Sequence, residues 1–329
     1  MVSSSVSGLE ISRIPEGKLC AFSFTYDDGV QAHYTHALPL HEKYGFPATF
    51  LIVTDRVEND ADEARAHKNC SWSELKTMAD KGMEIASHTK SHRNMREIES
   101  AGVTKEMTQG KAREEVLAMR EKNWPALLEE VTGSKKAIEE HCGTPVRTYA
   151  FAGNACPDWT WRLMAEVNGY VRSGCIRIAT GRGDTEASYR KQIDEKVVRT
   201  NQVSCVMIHG VGTKEPGDGW NPIPDLEVYE TLFKLVTERV ELIHVGTYGE
   251  NAAYSARVAS TKLVKQDDEG KVFVLQFAKK PNGVCEPGEV WLRVAQDEKV
   301  SVNGKAAVPN KYGAVLAHTG DMVTVSVGE

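Results

Sequence analysis

The sequence predicts an α/β fold: a distorted (β/α) barrel of about seven parallel strands, followed by a small antiparallel β domain. Between Leu19 and about Ser255, short apolar runs alternate with longer segments of helical spacing. After Ser255, apolar residues recur at every second position. Repeated strand–helix units form parallel sheets, and a sheet of this length usually closes into a barrel. We therefore expect an N-terminal extension at 1–18, a main domain at 19–255 and an accessory β-sandwich at 256–329.

The predicted strands of the main domain are its apolar runs, at 19–26, 48–53, 83–88, 146–151, 170–176, 203–209 and 240–245. Helix candidates lie between them at 32–44, after the capping residue Ser71, and at 225–240. The segment 95–141 is charged, helical in spacing and interrupted near Pro125, which is typical of a solvated helical insertion. Past 255, an Asn303-Gly304 turn signal predicts a hairpin, and we expect this β domain to be a separable accessory.

Composition excludes several classes of protein. The 40 basic and 46 acidic residues are well mixed and give a net charge of −6, so we expect no nucleic-acid partner and no anionic membrane surface. No apolar run approaches the roughly 20 residues of a membrane span, and residues 1–18 lack the apolar core of a signal peptide. The protein is then either cytoplasmic or exported with its signal removed, and we slightly favour the extracytoplasmic alternative. The pattern carries no indication of oligomeric state.

The seven cysteines are scattered and include no C-x-x-C pair, so we expect neither a disulfide framework nor a thiolate zinc site. We interpret most of them as core residues. The usual motifs for phosphate loops, dinucleotide binding and serine hydrolases are also missing from the sequence. The chemistry is therefore expected to depend on other residues.

Ionisable residues stand at the ends of several predicted strands. Asp27 and Asp28 end the first strand, His88 ends the third, His92 follows four residues later, and His209 ends the run 203–209. The C-terminal ends of parallel barrel strands share one face, so these side chains should converge. Two histidines and one carboxylate are a common ligand set for catalytic zinc, provided that the segment after the third strand turns helically. Neighbouring carboxylates then take separate roles, one as a ligand and the other as a base.

This combination resembles a known family. "FTYDDG" is similar to the T-[FY]-D-D-G signature of the polysaccharide deacetylases, the NodB homology domain of carbohydrate esterase family four. "SHTKSH" is similar to their H-[ST]-x-x-H motif, and "VMIHG" to the L-x-I-H motif near the end of that domain. The resemblance covers about Leu19 to Ser255, which would make 19–255 the catalytic domain.

The resemblance implies that Asp28, His88 and His92 bind one divalent metal ion, most often Zn²⁺, with Co²⁺ or Ni²⁺ as alternatives. It makes Asp27 the general base and His209 the general acid. The implied reaction is hydrolysis of N- or O-linked acetyl groups on a carbohydrate, so the expected partner is an acetylated glycan. The implied fold, a distorted (β/α) barrel, agrees with the strand pattern.

Two family motifs are altered in this sequence. The third motif usually reads R-x-P-Y-G or Y-P-x-G, whereas here it reads "TYAFAGNA". The arginine that supports the base is therefore sought elsewhere, with Arg147 and Arg172 as candidates. The D-x-x-D-W motif, whose aspartate orients the acid histidine, is missing where expected, and Asp184 or Asp194 are candidates for that role.

Aromatic residues near the strand ends are candidates for stacking on a sugar ring. We single out Tyr26, Phe151 and Trp220, of which Trp220 is the best because it lies in a Gly- and Pro-rich loop after His209.

Three other functions stay open at this point. One is a hydrolase of a non-sugar amide on the same scaffold. Another is a non-haem iron oxygenase, against which the order of the motifs counts. The third is a catalytically impaired glycan-binding protein, against which the presence of Asp27 and His209 counts.

Overall fold

The computed structural model describes residues 8–58, 68–212, 223–267, 271–278, 285–296 and 298–327. The strands of this part of the chain are β1 (Glu10–Ile11), β2 (Cys20–Asp28), β3 (Ala48–Ile52), β4 (Glu84–Ser87), β5 (Thr148–Tyr149), β6 (Tyr170–Val171), β7 (Val203–Ile208), β8 (Ile243–Val245), β9 (Thr261–Lys265), β10 (Val272–Phe277), β11 (Glu289–Arg293), β12 (Glu298–Val302), β13 (Lys305–Ala307), β14 (Ala314–His318) and β15 (Met322–Val327).

The helices of the described residues are α1 (Leu38–Tyr44), α2 (Trp72–Asp80), α3 (Met95–Ser100), α4 (Lys105–Thr108), α5 (Arg113–Arg120), α6 (Trp124–Cys142), α7 (Thr160–Val167), α8 (Glu186–Lys196), α9 (Leu226–Thr237) and α10 (Tyr248–Ser260). A π-helical turn at His33–Ala37 precedes α1, so the helix predicted at 32–44 is formed in two parts. Ser71 caps α2 as predicted, in a reciprocal pair of hydrogen bonds with Glu74.

Strands β2 to β8 form one parallel sheet in the order β6-β5-β4-β3-β2-β7, and β8 pairs with the first residues of β2. The sheet curls until the chain after β6 meets β7. There Ile176 forms a parallel bridge with Val206, and its N–H donates to the Cys205 carbonyl at 2.7 Å. This arrangement confirms the distorted (β/α) barrel, and it places the C-terminal ends of the strands on one face.

Each predicted run of the main domain contains a strand, but β5 and β6 are only two residues long. The chain leaves the ladder early at both places, because the residues that follow serve other contacts. After β5, the Ala150 carbonyl accepts a hydrogen bond from the His88 ring. After β6, the Arg172 side chain turns into the barrel and pairs with Asp27.

The segment predicted to be a solvated insertion forms α3 to α6, and that description is wrong for α6 and for α3, which buries Met95 and Ile98 in the main core. Helices α4 and α5 bury none of their residues. Helix α6 instead buries a stripe at helical spacing, with Leu127, Val131 and Ile138 in the main core, and it packs against β4. Pro125 lies in its first turn, where the missing N–H costs no hydrogen bond.

The C-terminal region contains two antiparallel sheets, in the orders β1-β11-β14 and β13-β12-β15-β10-β9, that share a second apolar core. This bears out the predicted antiparallel β domain. Strand β1 comes from the segment expected to be an extension, since Glu10 pairs with Arg293. Helix α10 runs across residue 255, and its Tyr254 hydroxyl donates to the Ser12 carbonyl at 2.8 Å. The division into 1–18, 19–255 and 256–329 stays a prediction.

None of the helices in the described part of the chain is long and apolar enough to span a membrane.

Candidate active site

Strand β2 supplies the residues around which the site is built. All nine of its residues are buried, and alternate side chains point to opposite faces of the sheet. Thr25 and Asp27 face the barrel interior, where the Thr25 hydroxyl donates to the Val206 carbonyl. Tyr26 faces the other way, and its hydroxyl forms a 2.7 Å hydrogen bond with His41 Nε2. The substrate-stacking role predicted for Tyr26 therefore does not fit, because its side chain is fully buried in the core.

Asp28 ends β2 in the left-handed region of the Ramachandran plot, with φ +80°, and Gly29 follows with φ +72°. This conformation is unfavourable for a residue other than glycine, and such strain concentrates at functional sites. The turn directs the Asp28 carboxylate back towards the histidines. Its Oδ1 lies 3.3 Å from His92 Nε2 and 3.9 Å from His88 Nε2. Asp27 also reaches this centre, with Oδ2 at 3.8 Å from His88 Nε2.

His88 and His92 meet, but not through the helical turn that their spacing suggested. The residues between β4 and α3 form a loop in which Thr89 and His92 adopt φ +67° and +61°. The loop brings the two imidazole rings to a centroid distance of 4.8 Å. His88 Nδ1 forms a 2.9 Å hydrogen bond with the Ala150 carbonyl, which orients the ring so that Nε2 faces the two aspartates.

Helix α6 anchors this histidine loop through Glu130, a residue that the sequence did not single out. The Glu130 carboxylate accepts from the Ser91 N–H at 2.9 Å and from the Ser91 hydroxyl, and its carbonyl accepts from the Lys90 N–H at 3.0 Å. The Glu130 side chain is buried. The sequence feature that could have identified Glu130 is its position among the apolar residues of α6, because a charged side chain on the buried face of a helix requires a partner.

Of the two candidate arginines, Arg172 is the one that pairs with Asp27. Its guanidinium forms two hydrogen bonds with the Asp27 carboxylate, one of them from Nη2 to Oδ2 at 2.8 Å, and a third with the Thr25 hydroxyl at 3.1 Å. Arg172 is buried together with Asp27. Arg147 is exposed and precedes β5, so it lies at the opposite end of the parallel strands from Asp27.

The electrostatics of Asp27 depend on this pair. Burial alone raises the pKa of the Asp27 carboxyl, but the charge of Arg172, helped by His88 and His209 and by the Arg172 hydrogen bonds, outweighs it. The net pKa of Asp27 lies below its ordinary value, so the carboxylate is ionised at neutral pH. Arg172 therefore holds Asp27 in the form that accepts a proton.

His209 follows β7 directly, is half-buried, and acts electrostatically on Asp27 across the barrel mouth. His33, which is fully buried, interacts with both residues, and burial lowers the pKa of His33 to about 3. Asp184 accepts a hydrogen bond from the Gly181 N–H, and Asp194 pairs with Arg239 at 2.7 Å. That either aspartate orients His209 stays a prediction.

Two further aromatic residues, Phe151 and Trp220, were predicted to contact a sugar. Phe151 is only 2% exposed and belongs to the main core. Its predicted contact with a sugar therefore does not fit, for the same reason as that of Tyr26. Trp220 lies outside the described residues.

The donor set of Asp28, His88 and His92 fits a divalent cation. One ligand atom from each residue lies within 4.8 Å of the others. Asp28 Oδ1 is buried without a hydrogen-bond partner, and the nearest guanidinium nitrogen, of Arg56, is 3.6 Å away. Burial, followed by the charge of His88, lowers the pKa of His92 and so favours its neutral, metal-binding form. A buried carboxylate oxygen that lacks a donor beside two imidazoles is an arrangement that a cation stabilises.

Comparisons with known proteins agree with the motifs. Residues 20–171 match the family model described as polysaccharide deacetylase. A search of curated proteins finds no match.

Similar solved structures include a family 4 acetyl xylan esterase from Clostridium thermocellum in complex with a cobalt ion, at 16% identity over 70% of this chain and 89% of that chain, with a TM-score of 0.46. Peptidoglycan deacetylase PdaC from Bacillus subtilis is 14% identical over 73% of this chain and 92% of its own, with a TM-score of 0.45. BA3943, a pseudoenzyme of carbohydrate esterase family 4 (CE4) from Bacillus anthracis, is 12% identical over 70% of this chain and 64% of its own, with a TM-score of 0.45. With the family match over residues 20–171, which include Asp27, Asp28, His88 and His92, the resemblance of this chain to the polysaccharide deacetylase family is confirmed.

Proposed function

We propose that this protein is a metal-dependent hydrolase that removes N- or O-linked acetyl groups from a carbohydrate. The observation that carries the proposal is the pairing of an ionised, arginine-held Asp27 with a separate cation-binding set only 3.8 Å away. A base and a ligand set in contact are what hydrolysis by activated water requires. The family match over residues 20–171 supports the acetyl group and the carbohydrate as the substrate class.

Asp28, His88 and His92 would hold the cation. When bound, a divalent ion supplies Lewis acidity towards water and towards the acetyl carbonyl. We prefer Zn²⁺ because two imidazoles and one carboxylate are a common zinc set, with Co²⁺ or Ni²⁺ as alternatives.

The side chains of this chain supply the proton transfers. Asp27 accepts a proton from the attacking water, and Arg172 keeps its carboxylate ionised and oriented. His209 follows β7, which pairs with β2 on the edge opposite β3, and it donates a proton to the departing sugar nitrogen or oxygen. A glycan-binding protein without activity would need neither the ionised base nor the acid, which is why we favour the enzyme. Hydrolysis of a non-sugar amide stays an alternative prediction for the substrate. The extracytoplasmic location of the protein also stays a prediction.

Acetate release tests this function. Protein loaded with Zn²⁺ or Co²⁺ would be incubated with acetylated xylan, chitin oligomers, peptidoglycan and single acetylated amino sugars. We expect acetate from at least one substrate, loss of release after chelation, and recovery when the metal is returned. Asp27→Asn serves as the matched inactive control. If metal-replete protein releases no acetate from any of these substrates, the proposed function is wrong.

A further inference from the structure

Two cysteines meet where the barrel closes. Cys175 Sγ and Cys205 Sγ lie 3.3 Å apart, with the Cys205 thiol donating to Cys175. The bridge between Ile176 and Val206 places the residues before them, Cys175 and Cys205, beside each other on adjacent parallel segments. Both are free thiols in this structure. The pair lies deep enough in the barrel to interact electrostatically with Arg172.

We propose that Cys175 and Cys205 form a reversible disulfide that closes the barrel covalently. A disulfide requires a Cα–Cα distance of about 4.4–6.8 Å, and neighbouring strands lie about 4.7–4.9 Å apart. Residues in register on adjacent strands therefore meet the backbone requirement. Because the two sulfurs are already in contact, side-chain rotation is enough to bring them to bonding distance.

The two thiols differ in access and in reactivity. Cys175 is half-buried and follows the exposed residues Ser173 and Gly174, whereas Cys205 is 3% exposed. The hydrogen bond from Cys205 and the charge of Arg172 lower the pKa of Cys175, although burial opposes them. Cys175 is then the sulfur that an external reagent reaches first, and Cys205 is the resolving thiol behind it.

A small disulfide such as oxidised glutathione completes the chemistry. The Cys175 thiolate attacks one glutathione sulfur, which forms a mixed disulfide and releases the first glutathione as a thiolate. Cys205 gives up its proton and attacks the Cys175 sulfur, and the second glutathione leaves and takes up that proton. The proton that Cys175 lost on ionisation goes to the first glutathione thiolate, so the two electrons that the protein loses reduce one glutathione disulfide to two thiols.

The bond would tie the segment after β6 to β7 and enclose residues 175–205, including α8. Such a link restricts the unfolded chain and raises thermal stability. It would also fix the segment that begins at Arg172, the residue that holds Asp27.

Mass spectrometry of the full-length protein tests the proposal. Reduced protein would be incubated with oxidised glutathione, its remaining thiols blocked, and the sample digested with trypsin. We expect two of the seven cysteines to become unavailable, the intact mass to fall by two hydrogen atoms, and the peptides 173–177 and 200–214 to be linked. Dithiothreitol should separate them, and the melting temperature should fall again on reduction.

Three variants make the test specific. Cys175→Ser and Cys205→Ala should each lose both the linked peptide and the oxidation-dependent rise in melting temperature. Cys156→Ser, which replaces another half-buried cysteine outside the pair, should keep both. If Cys205→Ala does not fold, the result for Cys175→Ser, at the more exposed position, decides whether the disulfide forms. Oxidised wild-type protein that keeps all its thiols, carries only glutathione adducts, or links other cysteines would overturn the proposal. These readouts do not involve acetate release, so they are independent of the proposed function.

Discussion

The Glu130 carboxylate on α6 accepts hydrogen bonds from the Ser91 N–H, at 2.9 Å, and from the Ser91 hydroxyl. Ser91 lies between the two histidines of the candidate metal set. The loop that carries His88 and His92 contains two residues with positive φ, so its conformation needs such an external anchor. Helix α6, which lies outside the motifs, therefore anchors the loop that carries the second histidine of the candidate metal set.

We expect Glu130→Gln to weaken Zn²⁺ binding by about tenfold or more, the scale on which partners that orient metal ligands act. The amide replaces one acceptor oxygen by a donor, which then faces a donor of Ser91. Calorimetric titration of metal-free protein with Zn²⁺ measures the effect. Glu129→Gln is the matched control, because Glu129 is the neighbouring exposed residue and pairs only at the surface with Lys90. Equal Zn²⁺ affinities for wild type and Glu130→Gln would remove Glu130 from the site.

A matched pair of substitutions should separate the two adjacent aspartates. Asp27→Asn should keep the metal and lower kcat by about 10²-fold or more, the usual scale for a lost general base. Asp28→Asn should lose metal affinity, because it removes the only carboxylate of the predicted ligand set. Metal content and acetate release are measured on both variants. Metal loss in Asp27→Asn with retention in Asp28→Asn would mean that the two roles are reversed.

Removing Arg172 should move the acid limb of the kcat/KM profile to higher pH. Arg172 contributes to the lowering of the Asp27 pKa, so Arg172→Gln lets that pKa rise and the base is protonated at a less acidic pH. Arg172→Lys, which keeps the charge without the two-point hydrogen bonding, should shift the limb less. The profiles are recorded by acetate release, and an acid limb at the same pH in all three proteins would contradict this role.

The same pair makes stability depend on pH. Because the pKa of Asp27 is depressed in the folded state, its contribution is present above the ordinary aspartate pKa of about 3.9 and is lost as pH falls through the lower, folded value. Thermal melts of wild type and Arg172→Gln across this acidic range should show a weaker pH dependence in the variant. The variant should also be less stable at neutral pH, since it leaves a buried carboxylate without its partner.

His209→Gln should retain the metal and lose most of kcat, by about 10²-fold or more, because the leaving group is no longer protonated. Its kcat/KM profile should also lack the alkaline limb that a general acid produces. His318→Gln, at the exposed end of β14 in the β domain, controls for the loss of a histidine as such. Near-normal turnover in His209→Gln would exclude it as the acid.

A chain that ends at residue 255 should melt at a lower temperature than the full-length protein. The cut removes the last turn of α10 and leaves β1 without its partner β11. Leu9, buried in the second core, would become exposed. Circular dichroism of both chains measures the difference. A truncated chain with an unchanged melting temperature would instead support the separable accessory that the sequence pattern predicted.

The sequence by itself determined the α/β class, the positions of the strands along the chain, and the convergence of Asp27, Asp28, His88 and His92 at one face of the sheet. Periodicity and strand-end position are local properties of the chain, and the C-terminal ends of parallel strands share one face in any barrel. These features therefore follow from residues read in order.

The tertiary structure decided which distant groups meet. Arg172 rather than Arg147 pairs with Asp27, and Glu130 binds the histidine loop. Tyr26 and Phe151 are buried in the core, and Cys175 contacts Cys205. Asp27 and Arg172 are 145 residues apart in sequence, and Cys175 and Cys205 are 30 apart. Such contacts depend on how the sheet curls and closes and on which helix face packs against it. Those are properties of three-dimensional packing that no local pattern of residues contains.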